Sequence, residues 1–185
     1  GLIGAEGEYS SRNGVFRNTL TGITIPSGIT TIGIEAFCDC DKLQSVVLPD
    51  GVTEIGDWAF SGCETLTSVT VPDSVKTIGG SAFSCCFELT SIRIPDSVTT
   101  IEEKAFFACS SLARLEIPAG VETIGNEAFE SCDSLICVVV KNSPAHQYCV
   151  SNSVRYEAVE APDPFAGFRN PFDGLPDPQA GSRNP

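Results

Sequence analysis

The sequence predicts a solenoid of stacked parallel strands. Residues of fixed identity recur at one constant step, one stretch of each repeat alternates apolar and polar residues, and no single repeat can bury its own apolar face. Ala-Phe stands at Ala36-Phe37, Ala59-Phe60, Ala82-Phe83, Ala105-Phe106 and Ala128-Phe129, each 23 residues after the last. The same step separates Pro26, Pro49, Pro72, Pro95 and Pro118, and also Leu43, Leu66, Leu89, Leu112 and Leu135. It holds again for Ile32, Ile55, Ile78, Ile101 and Ile124, and for Cys40, Cys63, Cys86, Cys109 and Cys132. Self-similarity at a fixed period is the mark of a repeat architecture, whose units bury their apolar faces against one another.

The consensus runs P-D-S-V-T-x-I-G-x-x-A-F-x-x-C-x-x-L-x-x-V-x-V. Its end alternates, as in Leu89, Ile92 and Ile94, which predicts a half-buried strand. Proline ends that strand because it cannot donate the next ladder hydrogen bond. Asp-Ser or Asp-Gly then supplies turn chemistry. The segment V-x-x-I-G is too short for a helix and reads as a second extended stretch. The stretch A-F-x-x-C-x-x-L fits one helical or 3₁₀ turn leading back to the next strand. Stacking at the ~4.8 Å spacing of neighbouring strands lays Leu over Leu and Phe over Phe. The predicted core is therefore a set of residue ladders.

The pattern I-P-x-x-V-x-x-I-G-x-x-A-F-x-x-C-x-x-L resembles the BspA-like class of leucine-rich repeats. That class is found on bacterial cell surfaces and in some protist surface proteins. The resemblance spans Leu20 to Tyr156 and includes N-S-P-A-H-Q-Y-C from Asn142, similar to the family's C-terminal closing unit. It implies an α/β-type right-handed superhelix with a concave parallel sheet and a convex side of short extended and helical or 3₁₀ turns. It departs at Glu102, which replaces the glycine of I-G. On this basis residues 1–19 are an N-terminal cap or degenerate repeat, and 20–140 a solenoid of five 23-residue turns. Residues 141–158 are the closing unit and 159–185 a Pro-rich extended tail or linker.

Composition narrows the function. The net charge of −13 argues against a phosphate-binding or anionic-membrane surface. No apolar run approaches the ~20 residues that span a bilayer. The chain contains no Met and begins at Gly1, so the expectation is a processed or trimmed chain that lacks its native N-terminus and, with it, any export signal. Five of the nine cysteines fall in the one core column, where a thiol packs as a small apolar group. Cys137 is expected to face outward on the concave sheet, and Cys149 lies in the closing unit. No C-x-x-C is present and His146 is the one histidine, so neither a metal site nor a cofactor is expected. His146 sits in the cap beside Pro144 and Tyr148, where a structural role is favoured over catalysis.

A binding role fits better. Three columns should line the concave sheet. One holds Thr21, Gln44, Thr67, Thr90, Ala113 and Ile136. The next holds Gly22, Ser45, Ser68, Ser91, Arg114 and Cys137, and the third Thr24, Val47, Thr70, Arg93, Glu116 and Val139. Candidate contacts are Gln44, Val47, Thr67, Thr70, Thr90, Arg93, Arg114, Glu116 and Val139, against the plain alternative that Thr and Val are good strand formers. A second candidate is convex. Trp58, Phe87 and Phe107 interrupt columns that are otherwise mostly polar, and exposed aromatics anchor interfaces. In the tail, 162–171 is echoed by 176–185, an offset of 14 residues. It reads as a linker, or else as a motif docking through Phe165, Phe168 and Phe172.

The expected function is a secreted or cell-surface recognition module for protein–protein or adhesion contacts, with a protein or glycan ligand on another cell or host. A structural spacer or anchor is the alternative, and an enzyme a distant third.

Overall fold

The computed structural model describes residues 2–3 and 19–161. The tail with Phe165, Phe168 and Phe172, and most of the expected N-terminal cap, lie outside them. In chain order the elements are β1 (Leu2–Ile3), β2 (Gly22–Thr24), β3 (Thr31–Ile32), β4 (Ser45–Val47), β5 (Glu54–Ile55), β6 (Ser68–Thr70) and β7 (Thr77–Ile78). They continue as β8 (Ser91–Ile92), β9 (Thr100–Ile101), β10 (Arg114–Ile117), β11 (Thr123–Ile124), β12 (Ile136–Val140), α1 (Pro144–Ser151) and β13 (Tyr156–Val159). Every pairing is parallel, and the strands divide between two faces.

The first face comes from L-x-x-V-x-V. It holds β2-β4-β6-β8 in one ladder and β10-β12-β13 in another. The second face comes from V-x-x-I-G and runs unbroken as β1-β3-β5-β7-β9-β11. Its register keeps the repeat step, with Ile32 on Ile55, Ile55 on Ile78 and Ile78 on Ile101. Both extended stretches follow from the β-branched residues that alternate through them.

Between the faces, A-F-x-x-C-x-x-L builds a chain of three-residue turns. Ala59 N–H donates to the Gly56 carbonyl, Cys63 to Phe60 and Leu66 to Cys63. These are 3₁₀-type bonds, yet no helix propagates, because left-handed residues interrupt each turn twice. One column is Glu35, Trp58, Ser81, Lys104 and Glu127, with φ between 52° and 57°. The other is Asp39, Gly62, Cys85, Ala108 and Ser131. Single residues visit this region, but a run of them cannot form a helix. Successive turns are then tied together by backbone bonds, such as Phe60 N–H to the Ala82 carbonyl at 2.8 Å.

The core consists of ladders. Phe37, Phe60, Phe83, Phe106 and Phe129 stack with centroids 5.3, 5.3, 5.4 and 5.8 Å apart. The Leu, Ile, Val and Ala columns beside them are buried. Full burial of each large side chain contributes about 1.5–3 kcal/mol. The cysteine column is buried too, and its thiols are used: Cys63, Cys86, Cys109 and Cys132 donate to the carbonyls of Phe37, Phe60, Phe83 and Phe106 at 3.0 to 3.2 Å. The turn serines have a similar task. Ser74 and Ser97 donate to the carbonyls of Val52 and Val75 in the preceding turn.

The last turn departs from the 23-residue step. Arg114 pairs with Ile136, not with Cys137, and Glu116 pairs with Val138. The strand therefore starts one residue early, although Leu135 keeps its place in the buried leucine column. A one-residue slip reverses every side chain. Cys137 and Val139, both expected on the exposed face, are fully buried. The run Ile136–Val140 has no polar residue to mark its outer side, which is why constant spacing misplaces it.

The closing unit covers the end of the solenoid. Ser143 caps α1, accepting from His146 N–H, with Pro144 in the first turn. Tyr148 takes the place of a sixth ring, edge-on to Phe129 at 5.8 Å and 84°. Its hydroxyl oxygen accepts from Ala128 N–H at 3.0 Å. In the inner turns the alanine amide donates within its own turn, as Ala82 N–H does to the Gly79 carbonyl. Tyr148 supplies the acceptor for the last of these amides.

Candidate functional site

The predicted concave residues sit on the first face, where alternation along each strand turns one side chain in and the next out. Gln44, Thr67 and Thr90 lead into β4, β6 and β8, and all three are exposed. Val47 is 44% exposed, and Thr70, Arg93, Arg114 and Glu116 are exposed beside it in the later turns. The threonines fold back on their own scaffold. Thr67 Oγ1 donates to the Gln44 carbonyl at 3.0 Å and Thr90 Oγ1 to the Thr67 carbonyl at 3.4 Å. What they turn outward is largely methyl.

Both arginines are held by acids that lie outside the three columns. Arg93 bonds Asp73 at 2.6 Å, and Arg114 bonds Glu157 of β13 at 2.8 Å. The Arg93 guanidinium is pushed up from its ordinary value by its bond to Asp73. These pairs are exposed and contribute little to stability. Their effect is to fix where the charges lie.

Between β8 and β10 the first face opens. Among the described residues no strand pairing joins them, whereas the second face continues past the same point. A cavity of about 830 Å³ lies at this break. Ile92, Ile94, Ile117 and Val138 form its apolar lining, and Arg93, Arg114 and Glu116 add charge. Val138 occupies the position at which Val139 was expected. The signal that finds it is the register of β12 against β10.

The convex aromatics are placed differently. Trp58 is 46% and Phe87 40% exposed, while Phe107 is half-buried. Among the described residues no ring contact joins the three. His146 is absorbed into the cap: its Nδ1 accepts from Asn142 N–H, and its ring meets Tyr156 at 4.9 Å. Among the described residues no three His, Cys, Asp or Glu side chains are grouped to hold a metal ion. No helix among them is long and apolar enough to cross a membrane.

Residues 11–136 match the BspA type leucine rich repeat region, in six copies. The chain belongs to the BspA-type leucine-rich-repeat family. Solved structures of other leucine-rich-repeat proteins agree with the parallel solenoid. A leucine rich cell surface protein from Faecalibacterium prausnitzii is 31% identical with a TM-score of 0.66, over 75% of this chain and 36% of that one. A leucine-rich repeat protein from Bacteroides ovatus is 27% identical with a TM-score of 0.65, over 77% of this chain and 43% of that one. The T. pallidum leucine rich repeat protein is 24% identical with a TM-score of 0.63, and shows the fold. This BspA-type chain thus spans 36% and 43% of the first two proteins' lengths. No curated protein matches it in sequence. The match begins at residue 11, within the segment expected to be an N-terminal cap or degenerate repeat.

Proposed function

We propose that this chain is a non-enzymatic recognition module, secreted or displayed at a cell surface, that binds a protein ligand on its first face at the break between β8 and β10. The observation that carries this is the coincidence of three features at one place. The hydrogen-bonded ladder is interrupted, apolar side chains border the opening, and two arginines are fixed by acids beside it. Unpaired strand edges offer backbone donors and acceptors to an incoming chain. An apolar pocket rimmed by charge suits an anchoring side chain with a polar surround. The cell-surface placement draws on the family and on the F. prausnitzii relative.

The test is capture of extracellular proteins by the isolated chain, repeated with Arg93→Glu and Arg114→Glu together. Both side chains are exposed, so the double variant is expected to melt within a few degrees of the parent. Binding to the captured partner is expected to weaken tenfold or more. Undiminished binding would remove the first face as the site and favour a spacer or anchor.

A further inference from the structure

The early start of β12 turns Cys137 into the core, where Cys149 faces it from α1. Cys149 is one of two buried residues of that helix, with Ala145. The helix packs on β12, and the two thiols lie close enough there for each to act on the other. Both side chains are fully buried. Four thiols of the repeat column, in contrast, are committed to phenylalanine carbonyls of the preceding turn. A cavity of about 630 Å³, lined by Ile136, Val150, Val154 and Tyr156, borders Cys149.

We propose that Cys137 and Cys149 form a disulfide that clasps the closing helix α1 to the last solenoid strand β12. The pair bridges two elements 12 residues apart in sequence, so the bond closes a loop and restricts the unfolded cap. Fraying of the solenoid at this end must pass through the closing unit, because Phe129 and Cys132 lie beneath it. The clasp therefore acts where terminal units are weakest.

The chemistry is thiol–disulfide exchange with a small-molecule disulfide such as oxidised glutathione. Cys149 borders the cavity and Cys137 does not, so Cys149 is the first nucleophile. Its thiolate attacks one glutathione sulfur, breaking that S–S bond and releasing one glutathione thiolate, which takes up the Cys149 proton. Cys137 loses its proton and attacks the Cys149 sulfur of the mixed disulfide, releasing the second glutathione, which takes up that proton. Two thiols are oxidised and one glutathione disulfide is reduced.

The full chain is equilibrated in a glutathione redox buffer, denatured, alkylated with iodoacetamide and mapped by peptide mass. Seven of the nine cysteines should be alkylated, with one linkage joining Cys137 to Cys149. The oxidised chain should melt several degrees above the reduced one. Cys149→Ala should abolish that difference, and Cys137→Val serves the same comparison should the alanine variant fail to fold. Nine alkylated cysteines overturn the clasp, as does a linkage elsewhere, for instance between Cys109 and Cys132, which also lie in contact. Formation in the cell rests on the surface reading, since a cytosolic glutathione pool keeps such pairs reduced. The buffer assay tests geometry alone, and the thiol state of the chain recovered from its native cell tests location alone.

Discussion

Single residues set the spacing of the turns. A Cβ built on Gly79 would lie 2.7 Å from the Gly56 carbonyl carbon and 2.8 Å from Asp57 N, which are backbone atoms of the turn before. Gly79→Ala is therefore expected to cost about 1–3 kcal/mol, as overpacking does, read as a lower urea midpoint. Glu102 stands in the same column with a side chain, and its carboxylate accepts Gly80 N–H at 3.1 Å, a bond that alanine cannot make. Trp58 is the opposite case. Its left-handed φ of 52° is demanded by the turn, since its column neighbours share it, but nothing in the packing demands an indole. Asparagine tolerates that region well. Trp58→Asn is expected to leave stability within about 0.5 kcal/mol of the parent or slightly above it. A loss beyond 1 kcal/mol in chemical denaturation would show that the ring is packed rather than displayed.

At the scale of elements, the ladders were legible because each column repeats one residue type. Phe, Leu, Ile and Cys at a fixed step need no partner information to be placed inside. The register of β12 was hidden, since Ile136–Val140 offers no polar residue to distinguish its faces and the spacing to Leu135 is preserved. Pairing with β10 and β13 decides it, and those contacts are not local in sequence. The charged partners of Arg93 and Arg114 were hidden for a similar reason: Asp73 and Glu157 come from 20 and 43 residues away. The role of Tyr148 was equally out of reach, because it depends on α1 packing its ring against Phe129. Its hydroxyl oxygen serves the amide of buried Ala128. Removing it strands a donor that water does not readily reach. Tyr148→Phe is expected to cost about 1–3 kcal/mol, the range for an unsatisfied buried donor. Amide exchange at Ala128 should accelerate in the same variant, and unchanged protection there would refute the capping role.

For the whole molecule, the cysteine column links the solenoid's stability to pH. Burial, first among the causes, pushes the Cys63 and Cys86 thiols well above their ordinary value of 9.0. Unfolding exposes them to water and restores that value. Above about pH 9 the unfolded chain therefore gives up protons that the folded chain retains, so the folded state binds more protons and stability falls as pH rises. Below about pH 8 both states are protonated and these thiols contribute no slope. Between pH 9 and pH 10 the loss should be roughly 1 kcal/mol for each of the two thiols, from the ~1.4 kcal/mol per unit of a full shift. The measurement is the urea midpoint under reducing conditions across that interval, compared with Cys63→Ala/Cys86→Ala. The double variant is expected to be less stable near neutrality, because it loses two buried sulfurs and their bonds to Phe37 and Phe60. Its decline above pH 9 should nevertheless be shallower than the parent's. Parallel declines would mean that the alkaline loss comes from other groups, and that the thiol ladder is as inert to pH as any aliphatic column.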